Sequence, residues 1–406
     1  MFASDLKLTA LFAIITATII LRVSVEQTGY CSPDSRYYLE AAQNIIEGRG
    51  FYHSNEYPIP KIKTPENQTY FAVWPIGYSL LIAGFAVIFS LPVFWASKVV
   101  NIFFLGLCFL LFRKMHKEKA FLLALMMCSF TFLEVFSYTW SEAPFMFGLL
   151  WFGYALYNYL QDQSNTLILF HLLCSALFLF LIRYVGGFSF IIIGGLSGYY
   201  WINKKYKATV NLLFIIFILI SIAGLYLYNN YLQTGYLTGG ERLYPDRESL
   251  GLFSWFLFVG LFNEFFIIKN YYWRHEPAGL FLATALFQLL VMAFIYFRYL
   301  KGNKFKFTAK DRLSLSFGLM GIFYLFLLIF IRLFSPFDPF DYRILSPFTL
   351  CIYTAIMLYL INDDRATSFN GTYKYIVLLF YVSLILNLPK AYLINYFRIL
   401  LQQIFT

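Results

Sequence analysis

The sequence predicts an all-α polytopic membrane protein. Hydrophobic residues make up 60% of the 406 residues and charged residues only 13%, whereas a typical soluble domain carries about 25% charge. Apolar runs of roughly 18 or more residues recur along the chain, and each is long enough to cross a bilayer as a helix. The short alternating segments of an outer-membrane barrel are not seen. The composition excludes a soluble enzyme, a disulfide-stapled secreted domain and a disordered chain.

The apolar runs and the breaks between them predict about eleven membrane-spanning helices. We place them near 6–25, 94–112, 120–138, 143–160, 166–182, 186–202, 209–230, 278–299, 313–333, 344–361 and 374–390. The first run has almost no basic region before it and no A-x-A cleavage site after it, so it is typical of a retained helix.

Short basic loops predict the orientation of these helices. Three of them, 113–119, 203–207 and 301–312, should face the cytoplasm. A cytoplasmic N-terminus agrees with this only if the apolar stretches 76–91 and 251–268 do not cross, so we expect juxtamembrane helices there. The net charge of +10 then belongs to the inner side. It indicates topology and contact with membrane lipids, and no nucleic-acid partner is expected.

The predicted topology leaves two large loops on the outer side, 26–93 and 231–277. Each contains an interfacial apolar helix, polar turns and carboxylates, whereas the cytoplasmic loops are short. A site built from loops is therefore expected outside, and residues 1–406 are expected to form a single transmembrane domain without a separate soluble domain. No GxxxxGK[ST] phosphate loop occurs, so nucleotide-driven chemistry on the inner face is not expected.

Two carboxylates are the leading candidates for chemistry. Asp34 follows Pro33 at the start of a predicted helix, where an aspartate can equally serve as the N-cap. Glu142 lies in a tight turn before Pro144, at a depth where a carboxylate must be paired or hydrated. It could also be an ordinary acid of a first helical turn. Both interpretations stay open for each residue.

Three cations, Lys98, Arg183 and Arg343, fall near membrane level on the predicted outer side. Basic side chains at such positions either snorkel to lipid headgroups or bind an anionic ligand. Snorkelling is the commoner explanation for any one of them taken alone.

Six short motifs occur in a fixed order on one predicted face of the chain. They are D-S-R-Y-Y from Asp34 to Tyr38, A-Q-N-I-I-E-G from Ala42 to Gly48, W-P-I-G-Y from Trp74 to Tyr78, S-E-A-P-F from Ser141 to Phe145, R-Y-V-G from Arg183 to Gly186, and D-Y-R from Asp341 to Arg343 with Pro347 after it. Together they resemble the GT-C glycosyltransferase superfamily. The branch of protein O-mannosyltransferases and the lipid A aminoarabinose transferase is the most similar.

The resemblance implies a GT-C fold and an inverting glycosyltransferase that takes sugar from a polyprenyl-phosphate-linked donor. The acceptor would be a glycan, a lipid or a protein on the outer face of a bacterial or archaeal plasma membrane. Asp34 matches the catalytic aspartate, the base for the acceptor, and Glu142 would orient the acceptor or a metal. The residues implied to bind substrate, with the cations stabilising the leaving lipid phosphate, are Tyr38, Lys98, Arg183, Tyr184 and Arg343.

Two departures from the family pattern bear on metal and substrate. The acidic residue that commonly follows the aspartate is Ser35 here, which weakens a two-carboxylate metal site. Trp74 replaces the lysine of the aminoarabinose branch, which argues against that substrate. The five cysteines and four histidines show no metal-ligand spacing. The sequence therefore assigns no metal ligand and no cofactor, and a divalent metal stays open.

Two other functions stay open at this point. A non-catalytic flippase or transporter for lipid-linked sugars would also have many spans, but it should carry ionisable groups along a mid-membrane path or in repeated halves. The chain shows no internal repeat, and its charges gather in the outer loops. A polysaccharide polymerase would also have large outer loops, but the stretch from Asp34 to Gly48 favours the GT-C interpretation.

Overall fold

The computed structural model describes most of the chain. The described residues are 2–54, 68–240, 248–270, 278–301, 311–334, 338–362, 366–389, 392 and 402. Parts of both predicted outer loops, and most of the predicted basic loop 301–312, lie outside the described residues.

Helices account for nearly all of the described structure. They are α1 (Phe2–Val25), α2 (Pro33–Ile46), α3 (Gly77–Phe89), α4 (Val93–Met115), α5 (Ala120–Ala124), α6 (Phe130–Ser137), α7 (Glu142–Gln161), α8 (Thr166–Ile182), α9 (Phe188–Ile202), α10 (Tyr206–Thr234), α11 (Leu250–Glu264), α12 (Ala278–Ile295), α13 (Arg312–Phe334), α14 (Tyr342–Asn362) and α15 (Ala366–Leu386). A two-stranded antiparallel sheet in the first loop pairs β1 (Tyr52–His53) with β2 (Thr69–Tyr70).

The predicted all-α polytopic architecture is confirmed, and every predicted span overlaps a helix. By length and apolar composition, 7 of the described helices could cross a membrane, or up to 8 if a bent pair counts as one span. The predicted number of about eleven spans is therefore not confirmed. One cause is the composition of α7, which is 20 residues long but rich in tyrosine and glycine, and another is the 17-residue length of α8.

The predicted span over 120–138 is broken into two helical segments, which together form either a broken span or a re-entrant loop. The segment Ala120–Cys128 meets α6 at an angle of 73°. Ser129 at the break is extended, and the backbone N–H of Phe130 donates to the carbonyl of Ile267 at 2.9 Å. A break at membrane level is stable where the freed backbone groups find partners inside the protein. Here the chain just after α11 supplies that partner.

The lengths of α3 and α11 agree with the expectation that 76–91 and 251–268 do not cross. The two helices have 13 and 15 residues. At about 1.5 Å per residue they reach about 20 and 22 Å, less than the roughly 30 Å of a hydrocarbon core. Which side of the membrane they face remains a prediction.

The two ends of the helical bundle carry different polar contacts. The N-terminal ends of α4, α7 and α14 meet at one end, which we call the site end. At the opposite end, Arg113 of α4 pairs with Asp5 of α1 at 2.7 Å. There the ammonium of Lys119 donates to the carbonyl of Ile361, the next-to-last residue of α14, at 2.9 Å. The basic loop 113–119 therefore lies at the end of the bundle away from the predicted site residues.

Candidate active site

Asp34 does not cap α2. Ser32 is the N-cap: its hydroxyl accepts the backbone N–H of Ser35 at 3.3 Å, and the Ser35 hydroxyl accepts the backbone N–H of Ser32 at 2.9 Å. This reciprocal capping leaves the side chain of Asp34 free for another partner. Its Oδ2 accepts a hydrogen bond from Nη1 of Arg343 at 2.5 Å. The interpretation of Asp34 as only a helix cap is therefore excluded.

Glu142 begins α7 and is completely buried. Its Oε1 accepts a hydrogen bond from Nε of Arg343 at 2.6 Å and forms an ion pair with Nη1 of Arg183. Its Oε2 is also buried, and none of the described residues gives it a hydrogen bond. Two guanidinium groups and the N-terminus of α7 offset the burial of this carboxylate. One buried oxygen is therefore left without a hydrogen-bond partner among the described residues.

Arg343 joins the two carboxylates. It lies in the first turn of α14, with its guanidinium 4.7 Å from the ring centroid of Trp140. Trp140 is itself fixed, because its Nε1 donates to the Ser32 hydroxyl at 2.8 Å. A guanidinium has five N–H donors, and Arg343 directs Nε to Glu142 and Nη1 to Asp34. The described residues accept no hydrogen bond from Nη2, so this nitrogen can still donate to a ligand.

The formal charges of this cluster balance. Asp34 and Glu142 carry two negative charges, and Arg183 and Arg343 carry two positive charges. An anionic ligand that enters must therefore compete with the carboxylates for guanidinium donors. The side chains of Arg183 and Asp34 are 20% and 26% exposed, so part of the cluster is accessible.

The structure brings together four of the predicted site residues: Asp34, Glu142, Arg183 and Arg343. The two predicted tyrosines bond to protein groups beside them. Tyr38 is fully buried, and its hydroxyl donates to Oγ of Ser141 at 3.1 Å. The Tyr184 hydroxyl donates to the carbonyl of Ala72 at 2.8 Å. These contacts favour supporting roles for both tyrosines, and direct substrate contact by them stays a prediction.

Lys98 is also bonded within the protein. Only 2% of this residue is exposed, and its ammonium donates to the backbone carbonyls of Tyr30 at 3.2 Å and Ser137 at 2.9 Å. It does not snorkel to the surface, and two of its three donors are already engaged. The contact with substrate phosphate predicted for Lys98 is not supported by this arrangement.

Two motif glycines have a packing role. At Gly77, the start of α3, a Cβ atom would collide with the backbone carbonyl of Leu181 at the end of α8. At Gly186, a Cβ would collide with the carbonyl of Leu179. Both positions let the backbone approach α8 closely, next to Arg183.

Sequence reasoning missed the parts played by Trp140, Ser141 and Asp341. All three lie within or beside the quoted motifs, so their position was the available signal. Asp341 accepts the backbone N–H of Ile344 at 3.0 Å and thereby caps α14, two residues before Arg343. Burial raises the pKa of Asp341 to about 6, although that hydrogen bond and the charge of Arg343 act in the opposite direction.

The described residues form no group of three or more His, Cys, Asp or Glu side chains that could hold a metal ion. Ser35, which occupies the position of the family's second acid, is fully buried, and its hydroxyl donates to the carbonyl of Thr139 at 2.9 Å. Its hydroxyl also takes part in the capping of α2. Arg183 and Arg343 are the groups that could stabilise negative charge at this site.

The fold is similar to solved structures of two membrane proteins. The oligosaccharyltransferase AglB of Archaeoglobus fulgidus in its apo form gives a TM-score of 0.47 at 13% identity, covering 94% of this chain and 55% of that one. The same protein in complex with an inhibitory peptide and a dolichol-phosphate gives the same values. ArnT from Cupriavidus metallidurans in its apo state gives 0.41 at 12% identity, covering 93% and 77%.

This chain therefore spans about half the length of the AglB chains that it matches. AglB and ArnT are GT-C membrane glycosyltransferases, the superfamily that the motifs resemble. At these identities and TM-scores the likeness describes the fold and carries no argument about activity. No protein-family model matches the chain, and no curated protein matches its sequence.

Proposed function

We propose that this protein is a GT-C type membrane glycosyltransferase that moves a sugar from a polyprenyl-phosphate-linked donor to an acceptor. The observation that carries the proposal is the bridge of Arg343 between Asp34 and Glu142. The two carboxylates come from distant parts of the chain, and both belong to motifs that resemble the superfamily. A carboxylate next to a pair of arginines supplies a general base for the acceptor and cations for the departing phosphate.

In this mechanism Asp34 is the general base. The acceptor nucleophile attacks the anomeric carbon of the sugar and gives its proton to the Asp34 carboxylate. The bond between that carbon and the phosphate oxygen breaks, and its electron pair leaves with the lipid phosphate. Since attack comes from the face opposite the phosphate, the anomeric configuration inverts.

Arg343 and Arg183 stabilise the phosphate as its negative charge grows. Nη2 of Arg343 is the first donor available to it, since the other nitrogens bond to Asp34 and Glu142. As the phosphate draws the guanidinium toward itself, the Asp34 carboxylate is released to accept the proton. Glu142 keeps both arginines in place. Its Oε2 is buried, so it can orient the acceptor only if the surrounding side chains move to admit it.

The proposal includes a location and partners. The site end faces the outside of a bacterial or archaeal plasma membrane, the N-terminus is cytoplasmic, and residues 1–406 act as one transmembrane domain. This orientation is supported by the basic loop 113–119 at the opposite end of the bundle, because short basic loops stay in the cytoplasm. The donor is a polyprenyl-phosphate sugar, and the acceptor is a glycan, a lipid or a protein.

Transfer of a labelled sugar in purified membranes tests the proposal. A panel of polyprenyl-phosphate sugars is supplied to the wild type, to Asp34→Asn and to the matched control Asp162→Asn, whose carboxylate lies in the exposed turn between α7 and α8. We expect transfer by the wild type and by the control. We expect Asp34→Asn to lose about 100- to 10,000-fold in rate, the usual contribution of a general base.

Full activity of a normally folded Asp34→Asn would overturn the role of the base and direct attention to Glu142. Movement of the intact donor across the bilayer without any transfer would overturn the enzymatic proposal in favour of a flippase. Growth of a repeating glycan on the lipid carrier would instead support a polymerase.

A further inference from the structure

A buried polar face on α4 lies beneath the candidate site. Ser97, Lys98 and Asn101 occupy adjoining positions near the start of this helix and are 0%, 2% and 0% exposed. Polar groups buried in a membrane-spanning helix are costly unless they have partners, and ionisable ones are functional candidates by default. Each of the three bonds to chain segments that lead to the proposed catalytic residues.

Lys98 contacts both of these segments at once. Its ammonium donates to the carbonyl of Tyr30, four residues before Asp34, and to the carbonyl of Ser137, five residues before Glu142. A charged donor makes stronger hydrogen bonds than a neutral one, and more so where water is excluded. One buried cation therefore fixes the backbone that leads to each carboxylate.

Of the two segments, Asn101 and Ser97 bond only to the one that leads to Glu142. The side-chain amide of Asn101 donates to the carbonyls of Phe136 at 3.2 Å and Tyr138 at 2.6 Å. The hydroxyls of Ser97 and Thr139 share a hydrogen bond of 2.8 Å. The backbone turn before α7 is thus tied to α4 at several successive residues.

The two segments also bond to each other. The backbone N–H of Thr139 donates to the carbonyl of Tyr30 at 3.1 Å, and the Ser35 hydroxyl donates to the carbonyl of Thr139 at 2.9 Å. Lys98 therefore binds the Tyr30 carbonyl at the point where the two segments meet. Loss of the ammonium would leave two carbonyls, one on each segment, without this donor.

We propose that Lys98 is a positioning residue for sugar transfer, which holds Asp34 and Glu142 in register through the carbonyls of Tyr30 and Ser137. The inference rests on the proposed function. A positioning lysine and a phosphate-binding lysine predict different kinetic effects. Misplacement of the base affects turnover, whereas loss of a phosphate contact weakens donor binding.

Steady-state kinetics separate the two roles. The variants are Lys98→Met, Lys98→Gln and the matched control Lys114→Met, at an exposed position near the other end of the same helix. We expect Lys98→Met to lower kcat by about 100-fold, as a displacement of about 1 Å can do, with the donor KM unchanged. Lys98→Gln keeps amide donors and should retain more activity, and Lys114→Met should behave as the wild type.

A rise in the donor KM with kcat preserved would overturn the proposal and establish a phosphate contact. Unchanged kcat and KM in Lys98→Met would overturn it as well. If Lys98→Met fails to fold, Lys98→Gln carries the same test, since it retains hydrogen-bond donors at the buried position. A lower kcat at constant donor KM in that variant supports the proposal.

A second measurement does not depend on catalysis. Cys31 directly follows Tyr30, and its sulfur lies 4.0 Å from Oγ1 of Thr139. In a Cys174→Ser background, the remaining cysteines, Cys108, Cys128 and Cys351, are buried. We expect Lys98→Met, but not Lys114→Met, to speed the alkylation of Cys31 by a small maleimide, because the segment is no longer held.

An unchanged alkylation rate in Lys98→Met would overturn the positioning role even if activity fell. Suppose instead that Lys98→Met speeds alkylation of Cys31 but the wild type transfers no sugar from any donor. That result would support the contact of Lys98 with the Tyr30 segment and would overturn the proposed function. The two failures are therefore distinguishable.

Discussion

Glu142 and Glu264 are both buried carboxylates, 0% and 4% exposed, but their surroundings differ. Glu142 has two guanidinium groups on one oxygen. Glu264, at the end of α11, receives hydrogen bonds from the hydroxyl of Thr349 at 2.5 Å and from that of Thr131 at 3.2 Å. The described residues offer Glu264 no ion pair. One acid is therefore compensated by charge and the other by neutral donors.

The difference teaches how a buried acid can be assigned to a site. Burial raises the pKa of Glu264 to about 7, and its hydrogen bonds only partly oppose this effect. Its carboxyl group is therefore protonated, and so uncharged, for much of the time near neutral pH. Glu142 stays charged through its arginines, and those arginines also reach Asp34 through Arg343. The shared cations, more than burial itself, identify the candidate active site.

Among the variants of these acids compared for stability, Glu142→Gln should lower the unfolding temperature most. The amide cannot neutralise Arg183 and Arg343, and removing one partner of a buried ion pair typically costs about 3–5 kcal/mol. We expect a clear fall in the unfolding temperature. We also expect a loss of transfer of about 100-fold, since displaced cations no longer meet the phosphate. Thermal unfolding in detergent and the transfer assay measure the two effects.

The double variant Glu142→Gln with Arg183→Gln is the control for this prediction. It removes one unpaired cation, so the unfolding temperature should recover in part while transfer remains low. If the single variant kept the stability and activity of the wild type, the ion-paired cluster would have no role, and the contrast with Glu264 would disappear.

Glu264→Gln should have a smaller effect that depends on pH. The pKa of Glu264 is raised in the folded protein from its ordinary value of 4.5 to about 7. Its contribution to stability is complete below about pH 4.5 and is lost as the pH rises through about 7. The glutamine mimics the protonated acid. The variant should therefore match the wild type at low pH and exceed its unfolding temperature at pH 8.

The difference between the two unfolding curves reports on Glu264 and on its interaction with Asp341. Asp341, whose pKa is also raised, titrates in both proteins, but its charge contributes to the raised pKa of Glu264, so the subtraction removes its titration only in part. A wild type that is more stable than Glu264→Gln at pH 8 would mean that the carboxylate is ionised and held by charge, as Glu142 is.

The four charged residues of the cluster could be predicted from the sequence. Asp34, Glu142, Arg183 and Arg343 each lie in a short motif close to the end of a predicted span. Helix ends on one face of a membrane bundle come together whatever their separation along the chain. Asp34 and Arg343, 309 positions apart, were therefore candidates for contact.

The partners of Lys98 could not be predicted, because they are backbone carbonyls and every residue has one. Its type and depth left snorkelling and anion binding open, and the resemblance to the GT-C superfamily implied a contact with phosphate. The break at Ser129 could not be predicted for the same reason, because it depends on the backbone carbonyl of Ile267 from a distant segment. Contacts made by side chains of opposite charge leave a signal in the sequence, whereas contacts with the backbone do not.

Glu264 carried a signal that was not used. An acid within the apolar stretch 251–268 is a candidate for function by default. Its partners Thr131, Thr349 and Asn270 have no charge, and the two threonines lie on other helices. The sequence could therefore identify the acid but not the way in which it is compensated.

Breaking the exposed pair of Asp5 and Arg113 should have the smallest effect on the unfolding temperature. This pair therefore serves as the reference for the buried acids. The bonds are bidentate, with Nε and Nη2 of Arg113 donating to the two oxygens of Asp5 at 2.7 and 2.9 Å. The side chains are 40% and 34% exposed for Arg113 and Asp5. Water replaces the lost partner at such exposure, and salt screens the pair.

Asp5→Asn changes an acid to its amide, as Glu142→Gln does, so burial is the main variable between the two variants. We expect the unfolding temperature and sugar transfer of Asp5→Asn to match the wild type, with any difference vanishing in high salt. A fall as large as that of Glu142→Gln would mean that ion pairs at both ends support the bundle equally. In that case the fall in unfolding temperature of Glu142→Gln would reflect the general stability of the bundle and would not identify a site. Only the transfer assay could then distinguish the buried cluster from the exposed pair.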